Sequence, residues 1–231
     1  VDVQQCADGA VVVVHDRSLA RTSDAARLRR VVGAPGLLVR DWRLDQLRRL
    51  DLGSWFLAAD PFGSLQSGRA DRLVLQTLMP QRILTLEELL AWAMARDMAL
   101  NIELKDQREP RANERLAAAV TRLVRAADAG QRVVLSCFNH AVLRVCRGLA
   151  PEIAIAALQE DGHPPDLVAY LRTLGACAYH PADNLVDEAL IRVLRAGRLH
   201  VNVFTVNDPA RQRELFAWGA TGVFTDWVEP V

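Results

Sequence analysis

"LNIELKDQREPRANERLAAAVTRLVRAADAGQRVVLSCF", residues 100–138, reads as strand, helix, strand. In "LNIEL" the residues alternate, which places Asn101, Glu103 and Lys105 on one face and Ile102 and Leu104 on the other. "RANERLAAAVTRLVRAADAG" (111–130) carries a helical apolar stripe that Gly130 is expected to close, and "RVVLSCF" (132–138) is a second strand. A strand, a helix and a strand in this order imply parallel pairing through a right-handed crossover.

The same rhythm runs to the end of the chain. A helix from Asn139 leads to the strand "IAIAAL" (153–158), and a helix near 164–174 leads to "ACAYH" (176–180). The helix "LVDEALIRVLRAG" (185–197), with Gly197 as its stop, precedes the strand "HVNVFTV" (200–206). Asp208-Pro209 is an N-cap and first-turn signature for a helix running to Gly219, and "GVFTD" (222–226) closes the series. Upstream, "TLEELLAWAMARD" (85–97) predicts a helix with Thr85 as N-cap and Glu88 as its capping-box partner. With the opening hairpin this makes seven strands, and the expected fold is an α/β TIM (β/α)₈ barrel lacking its first βα unit. A doubly wound open sheet is the alternative, but no glycine-rich dinucleotide loop follows any strand.

We expect one barrel domain over 1–231, with 17–84 as an insertion after the opening hairpin. That segment breaks the rhythm, and "WRLDQLRRLDLGSWF" (42–56) is its clearest amphipathic element. "DPFGSLQSGRADR" (60–72) reads as a loop. Lys plus Arg and Asp plus Glu both total 28, a balance that argues against a broad nucleic-acid or membrane-surface binder. No apolar run reaches the roughly 18 residues of a membrane span. Cys6, Cys137, Cys146 and Cys177 form no CxxC pair, so buried free thiols in a reducing, cytoplasmic setting are expected.

The opening "VDVQQCADGAVVVVHD" (1–16) contains a hairpin signal at Asp8-Gly9. A two-residue loop there would face Asp2 directly across from His15, and a loop one residue longer would put Asp16 there instead. Asn101, Glu103 and Lys105 would then point into a barrel lumen, costly unless they bind something. A structural Glu103–Lys105 ion pair is the competing reading. Asp2 and Glu103 are oxygen donors suited to Mg²⁺ or Ca²⁺, Lys105 suits a phosphate oxygen, and a histidine beside a bound phosphate is a general acid or base. Those residues together point to metal-assisted phosphoester hydrolysis. His180 ends a strand where barrel sites form, and Phe204, Trp55 and Phe56 are candidate substrate contacts, with core packing as the rival role. Ser136 has no evident base partner, and His140, His163 and His200 read as surface or helix-end residues.

The stretch "DVQQCADGAVVVVHDRSLARTS" resembles the signature of the glycerophosphodiester phosphodiesterase family: Glu-x-Asp-Val, a Thr-Lys-Asp-Gly turn, an apolar strand, His-Asp, then Leu-x-Arg-Thr-Thr. "LRRLDLGSWF", "ILTLEELLAWA", "LNIELK", "FTVND" and "GVFTD" are similar to later family elements in the same order. The resemblance implies a barrel of the phospholipase C-like phosphodiesterase type that cleaves a small glycerophosphodiester to glycerol 3-phosphate and an alcohol. It implies that Asp2 and Glu103 are ligands of a divalent metal, Mg²⁺ or Ca²⁺, and that His15 is a catalytic acid/base. It makes Lys105 a phosphate or metal-shell contact; no nucleic-acid partner or stable membrane insertion is implied. The family's first-strand His-Arg-Gly, its Glu-Asn-Thr helix and the Glu two places before Asp2 are not among these residues. Activity is therefore expected to require an upstream unit of about 30 residues. Cys6, Leu84 and Phe204 stand where the family prefers Thr, Pro and Trp. A truncated or inactive barrel acting as a binding protein, or a related phospholipase D, are the alternative functions.

Overall fold

The hairpin that opens the chain pairs β1 (Asp2–Gln5) with β2 (Val11–Val13) in a computed structural model that describes residues 1–227. The chain divides into two units, Val1–Met98 and a second beginning at Ala99. In the hairpin, Val3 faces Val13 and Gln5 faces Val11. The Cys6 N–H donates to the Ala10 carbonyl at 3.0 Å and the Gly9 N–H to the Cys6 carbonyl at 3.0 Å. The loop is therefore Ala7-Asp8-Gly9, one residue longer than the sequence suggests, because Gly9 takes the left-handed conformation at φ +88°. The change slips the register. The Asp2 carbonyl accepts the Val14 N–H at 2.9 Å, so Asp2 lies across from Val14, and neither expected partner, His15 or Asp16, faces it.

Four short helices follow: α1 (Ala25–Val32), α2 (Leu44–Leu47), α3 (Ser54–Ala59) and α4 (Arg72–Thr77). The amphipathic stretch 42–56 is thus split between α2 and α3. Asp51 breaks it, accepting the N–H groups of Gly53 at 2.9 Å and Ser54 at 3.1 Å, bonds that a continuous helix would make along its own backbone. The hairpin then pairs through β2 with β3 (Leu84–Thr85), which runs into α5 (Leu86–Met94). The predicted capping box is present: Thr85 Oγ1 accepts the Glu88 N–H at 3.2 Å and Glu88 Oε2 accepts the Thr85 N–H at 2.9 Å. Val12, Val14, Leu19, Val39, Trp42, Leu47, Leu50 and Ile83 form the core of this unit. Trp42 is fully buried and its indole N–H donates to the Gly36 carbonyl at 3.1 Å, which satisfies its one polar atom.

The second unit repeats strand and helix. It contains β4 (Leu100–Leu104), α6 (Pro110–Ala126), β5 (Val133–Cys137), α7 (His140–Leu149), β6 (Ala154–Gln159) and α8 (Leu167–Leu174). It continues with β7 (Ala178–Pro181), α9 (Glu188–Ala196), β8 (His200–Val203), α10 (Pro209–Trp218) and β9 (Gly222–Val223). Each strand from β4 to β9 pairs in parallel with the next. Asn139, Asp187 and Asp208 cap α7, α9 and α10 with their side chains, as short polar residues do at helix starts. One predicted stop moves, while Gly197 holds as the C-cap of α9. α6 ends at Ala126, where Asp128 turns left-handed, and after α9 it is Arg198 rather than Gly197 that has positive φ. Among the described residues no helix is long and apolar enough to cross a membrane.

Candidate active site

In the first unit the chemistry gathers just past β2. Gln4 is 2% exposed, and its amide nitrogen lies 3.1 Å from the carbonyls of Val14 and His15 and 2.8 Å from that of Asp16. One buried side chain thus holds three successive carbonyls. His15 has an exposed ring whose Nδ1 is 2.8 Å from Asp16 Oδ1. Arg21 forks the same carboxylate, Nε to Oδ2 at 2.6 Å and Nη2 to Oδ1 at 2.8 Å. The bonds from Arg21 hold the Asp16 carboxyl down at about 2. A carboxylate that stays ionised can only accept, so His15 Nδ1 carries the proton and Nε2 is left to exchange one. The guanidinium of Arg21 also stacks on the Trp55 ring, 5.2 Å from its centroid, which ties Trp55 to this cluster. Trp55 meets Phe56 edge-to-face. Asp2 is half-buried at the start of β1.

In the second unit the strand register stacks the polar residues in rows. Glu103 lies level with Ser136, Ser136 with Ala156, and Ala156 with Ala178. One step of two residues toward the carboxyl ends comes the row Lys105, Phe138, Leu158 and His180, and Phe204 lies two residues beyond Asn202 on β8. The Lys105 ammonium is 2.7 Å from Glu103 Oε1, with both side chains about one-sixth exposed. The ion pair of the competing reading is therefore present. Asn101 donates to Ser136 Oγ at 3.1 Å, so that hydroxyl accepts from an amide. His180 is 1% exposed, and burial pushes its imidazole down to about 4. Its ring meets Phe224 edge-to-face, and Phe224 and Phe138 both flank Phe204. The three phenylalanines are half-buried.

Of the residues the sequence singles out, Glu103 and Lys105 pair with each other, and His180 and Phe204 lie among Asn202, Phe138 and Phe224, which the sequence reading did not name. The alternation of "HVNVF" (200–204) carries Asn202 on the face of Phe204, and was available as a signal. His140 does head a helix, yet its ring is half-buried, bonded to the Tyr170 hydroxyl at 2.7 Å and the Leu158 carbonyl at 3.0 Å. The four cysteines are free, and burial pushes the thiols of Cys6, Cys137 and Cys146 up to about 12.

No group of three or more His, Cys, Asp or Glu side chains is gathered for a metal ion among the described residues. Asp2 and Glu103 are carboxylates, and a hard cation such as Mg²⁺ is commonly held by one or two carboxylates with water and phosphate oxygens. Each carboxylate taken by itself is an oxygen donor of the type such an ion takes.

The chain matches the family model described as "Glycerophosphoryl diester phosphodiesterase family" over residues 1–229. It is 29% identical to a glycerophosphodiester phosphodiesterase of Bacillus altitudinis, across 98% of this chain and 81% of that protein. A Silicibacter pomeroyi DSS-3 protein of known crystal structure superposes with a TM-score of 0.82 at 25% identity, covering 98% of this chain and 78% of that one. An Oleispira antarctica phosphodiesterase, solved with its product sn-glycerol-3-phosphate, gives a TM-score of 0.76 at 25% identity, covering 97% and 79%.

Proposed function

Since the chain belongs to the glycerophosphoryl diester phosphodiesterase family, whose fold class is the α/β TIM barrel, we propose that it hydrolyses small glycerophosphodiesters to glycerol 3-phosphate and an alcohol. Phosphodiester hydrolysis is the reaction of its relatives. The observation that carries the reading is the Glu103–Lys105 pair at 2.7 Å, beside the carboxyl end of β4. A lone ammonium would be costly to hold in a partly buried row, and Glu103 offsets that cost while keeping Nζ in one place.

In this reading Lys105 Nζ takes a phosphate oxygen and neutralises the charge that builds there as the P–O bond breaks. His15 exchanges a proton at Nε2, with the attacking or the leaving oxygen, while Asp16 holds the ring through Nδ1. Asp2 and Glu103 are the carboxylates we assign to a divalent cation, Mg²⁺ or Ca²⁺, which when bound supplies Lewis-acid neutralisation of the phosphate. His180 and Phe204 contact the substrate. The free thiols suit a reducing compartment, and we assign the reaction to the cytoplasm.

The test is release of glycerol 3-phosphate from glycerophosphocholine and glycerophosphoethanolamine by the full-length protein, with and without EDTA. Release that EDTA abolishes and Mg²⁺ or Ca²⁺ restores is expected. No release from either diester would sink the function, and release indifferent to EDTA would sink the metal. Unchanged activity in His15→Ala or Glu103→Gln would sink the site.

A further inference from the structure

His180 Nδ1 is buried and has no hydrogen-bond partner among the described residues. Its other nitrogen, Nε2, lies 2.9 Å from Asn202 Nδ2. The orientation of Asn202 is set by Thr221, whose hydroxyl is 2.7 Å from Asn202 Oδ1. That hydroxyl accepts the Val201 N–H at 2.8 Å, and the Val201 carbonyl already takes the Thr221 N–H at 2.8 Å. The same hydroxyl lies 3.0 Å from the Val201 carbonyl, which the Thr221 N–H already engages, and 2.7 Å from Asn202 Oδ1, so its proton goes to the shorter contact and turns the NH₂ group of Asn202 toward His180. An NH₂ group only donates. Nε2 must then be the bare nitrogen, and the single ring proton sits on Nδ1.

Gly222 makes room for this arrangement. A Cβ built there would lie 2.9 Å from Asn202 Oδ1, so the amide occupies space that a side chain at 222 would fill. Burial keeps the ring neutral. By register His180 shares its row with Lys105, the residue placed at the phosphate. A buried N–H without an acceptor is costly, and an oxygen of a bound ligand removes that cost.

We propose that the chain Thr221–Asn202–His180 fixes His180 as a neutral Nδ1–H donor to an oxygen of the glycerol phosphate portion of the substrate, with Asn202 as its positioning residue. The proposal rests on the phosphodiesterase reading and divides labour between two histidines. His15 is exposed and is the proton carrier of that reading; His180 is sealed, orients and stays neutral at neutral pH.

Nitrogen NMR of the full-length protein with ¹⁵N-labelled histidine tests it, the His180 signals being assigned by their loss in His180→Gln. His180 is expected in the Nδ1–H form, unchanged between about pH 5.5 and 8, where an ordinary histidine changes charge. Adding sn-glycerol 3-phosphate should shift its Nδ1–H signal. A matching shift with inorganic phosphate places the acceptor on the phosphate, and a shift with glycerol phosphate alone places it on the glycerol. Asn202→Asp, which can accept from Nε2–H, should move the proton to Nε2 or charge the ring, adding an ionisation to the kcat/KM profile. His180→Leu should raise KM roughly 10-fold or more with kcat little changed, and His180→Gln, which keeps an N–H donor, should recover much of it. Should Asn202→Asp fail to fold, this Gln–Leu contrast decides.

An Nε2–H form in the unmutated protein, a ring that titrates in that pH range, or no shift with either ligand would overturn the proposal. The Nδ1–H form with a glycerol phosphate shift, in a protein that hydrolyses no diester, would instead overturn the phosphodiesterase reading and leave the donor in place.

Discussion

Asp16 Oδ1 sits 2.8 Å from His15 Nδ1 and 2.8 Å from Arg21 Nη2, so one carboxylate serves the imidazole and the guanidinium together. Arg21 holds the Asp16 carboxyl at about 2 against an ordinary 3.8. A carboxyl lowered in the folded state contributes stability that is present above its unfolded pKa and lost as pH falls through the folded value. The contribution of Asp16 is therefore full above about pH 4 and gone by about pH 2. Asp16→Asn should melt below the unmutated protein at neutral pH, and the gap should close across that window. Thermal melts over a pH series check this; a gap that persists at the acid end would assign the loss to packing. The exposure of His15 and Arg21 keeps the effect small.

The Glu103–Lys105 pair predicts opposite outcomes for its two halves. Lys105→Met leaves the Glu103 carboxylate partly buried without its ammonium, and should cost about 1–3 kcal/mol in urea unfolding at neutral pH. It should also lower kcat by about 100-fold or more, as removal of a charge-stabilising donor does. Glu103→Gln keeps shape and hydrogen-bonding capacity, so the fold should hold while kcat/KM falls. If Glu103→Gln cost more stability than Lys105→Met, the pair would be a structural device first.

Residues 101–105 were legible in the sequence because a strand has a period of two and because charged side chains alternating with Ile102 and Leu104 leave one assignment of faces. The parallel series after them was legible from the alternation of apolar strands with helical stripes, and three of its five helices among the described residues also carry a side-chain N-cap, Asn139, Asp187 or Asp208. The hairpin register was not. "ADG" permits loops of two or three residues, and the choice lies in the φ of Gly9, which no side-chain pattern encodes. Nor was the break in 42–56, where apolar spacing favours one helix and the Asp51 carboxylate overrides it locally. The partner of His180 was hidden for a third reason. The alternation shows which face Asn202 is on, but its contact with His180, 22 residues away, is set by strand order rather than by local pattern.

Gly9 carries the corrected register. A Cβ there would meet only Gln5 Nε2 at 3.9 Å, an ordinary contact, so Gly9→Ala tests the backbone alone. Holding alanine in the left-handed region should cost about 1–2 kcal/mol, read as a fall in the urea midpoint. A neutral substitution would mean that position 9 does not need the left-handed conformation in the folded protein.

Gln4 gives the sharpest test of how the first unit positions its histidine. Its amide is the donor for the carbonyls of Val14, His15 and Asp16, and it is buried. Gln4→Leu keeps the volume and removes the donor, and should cost about 1–3 kcal/mol of stability. Gln4→Glu keeps shape as well, yet at neutral pH it sets an acceptor-only carboxylate against three acceptors, so it should lose more than Gln4→Leu. On acidification the introduced carboxyl takes up a proton, regains one O–H donor and should close part of that gap, a recovery Gln4→Leu cannot show. Both variants should lower kcat/KM while leaving KM little changed, because the loss acts through the placement of His15. Urea midpoints for the three proteins at neutral and mildly acidic pH decide it: Gln4→Glu as stable as the unmutated protein at neutral pH would remove Gln4 from this role.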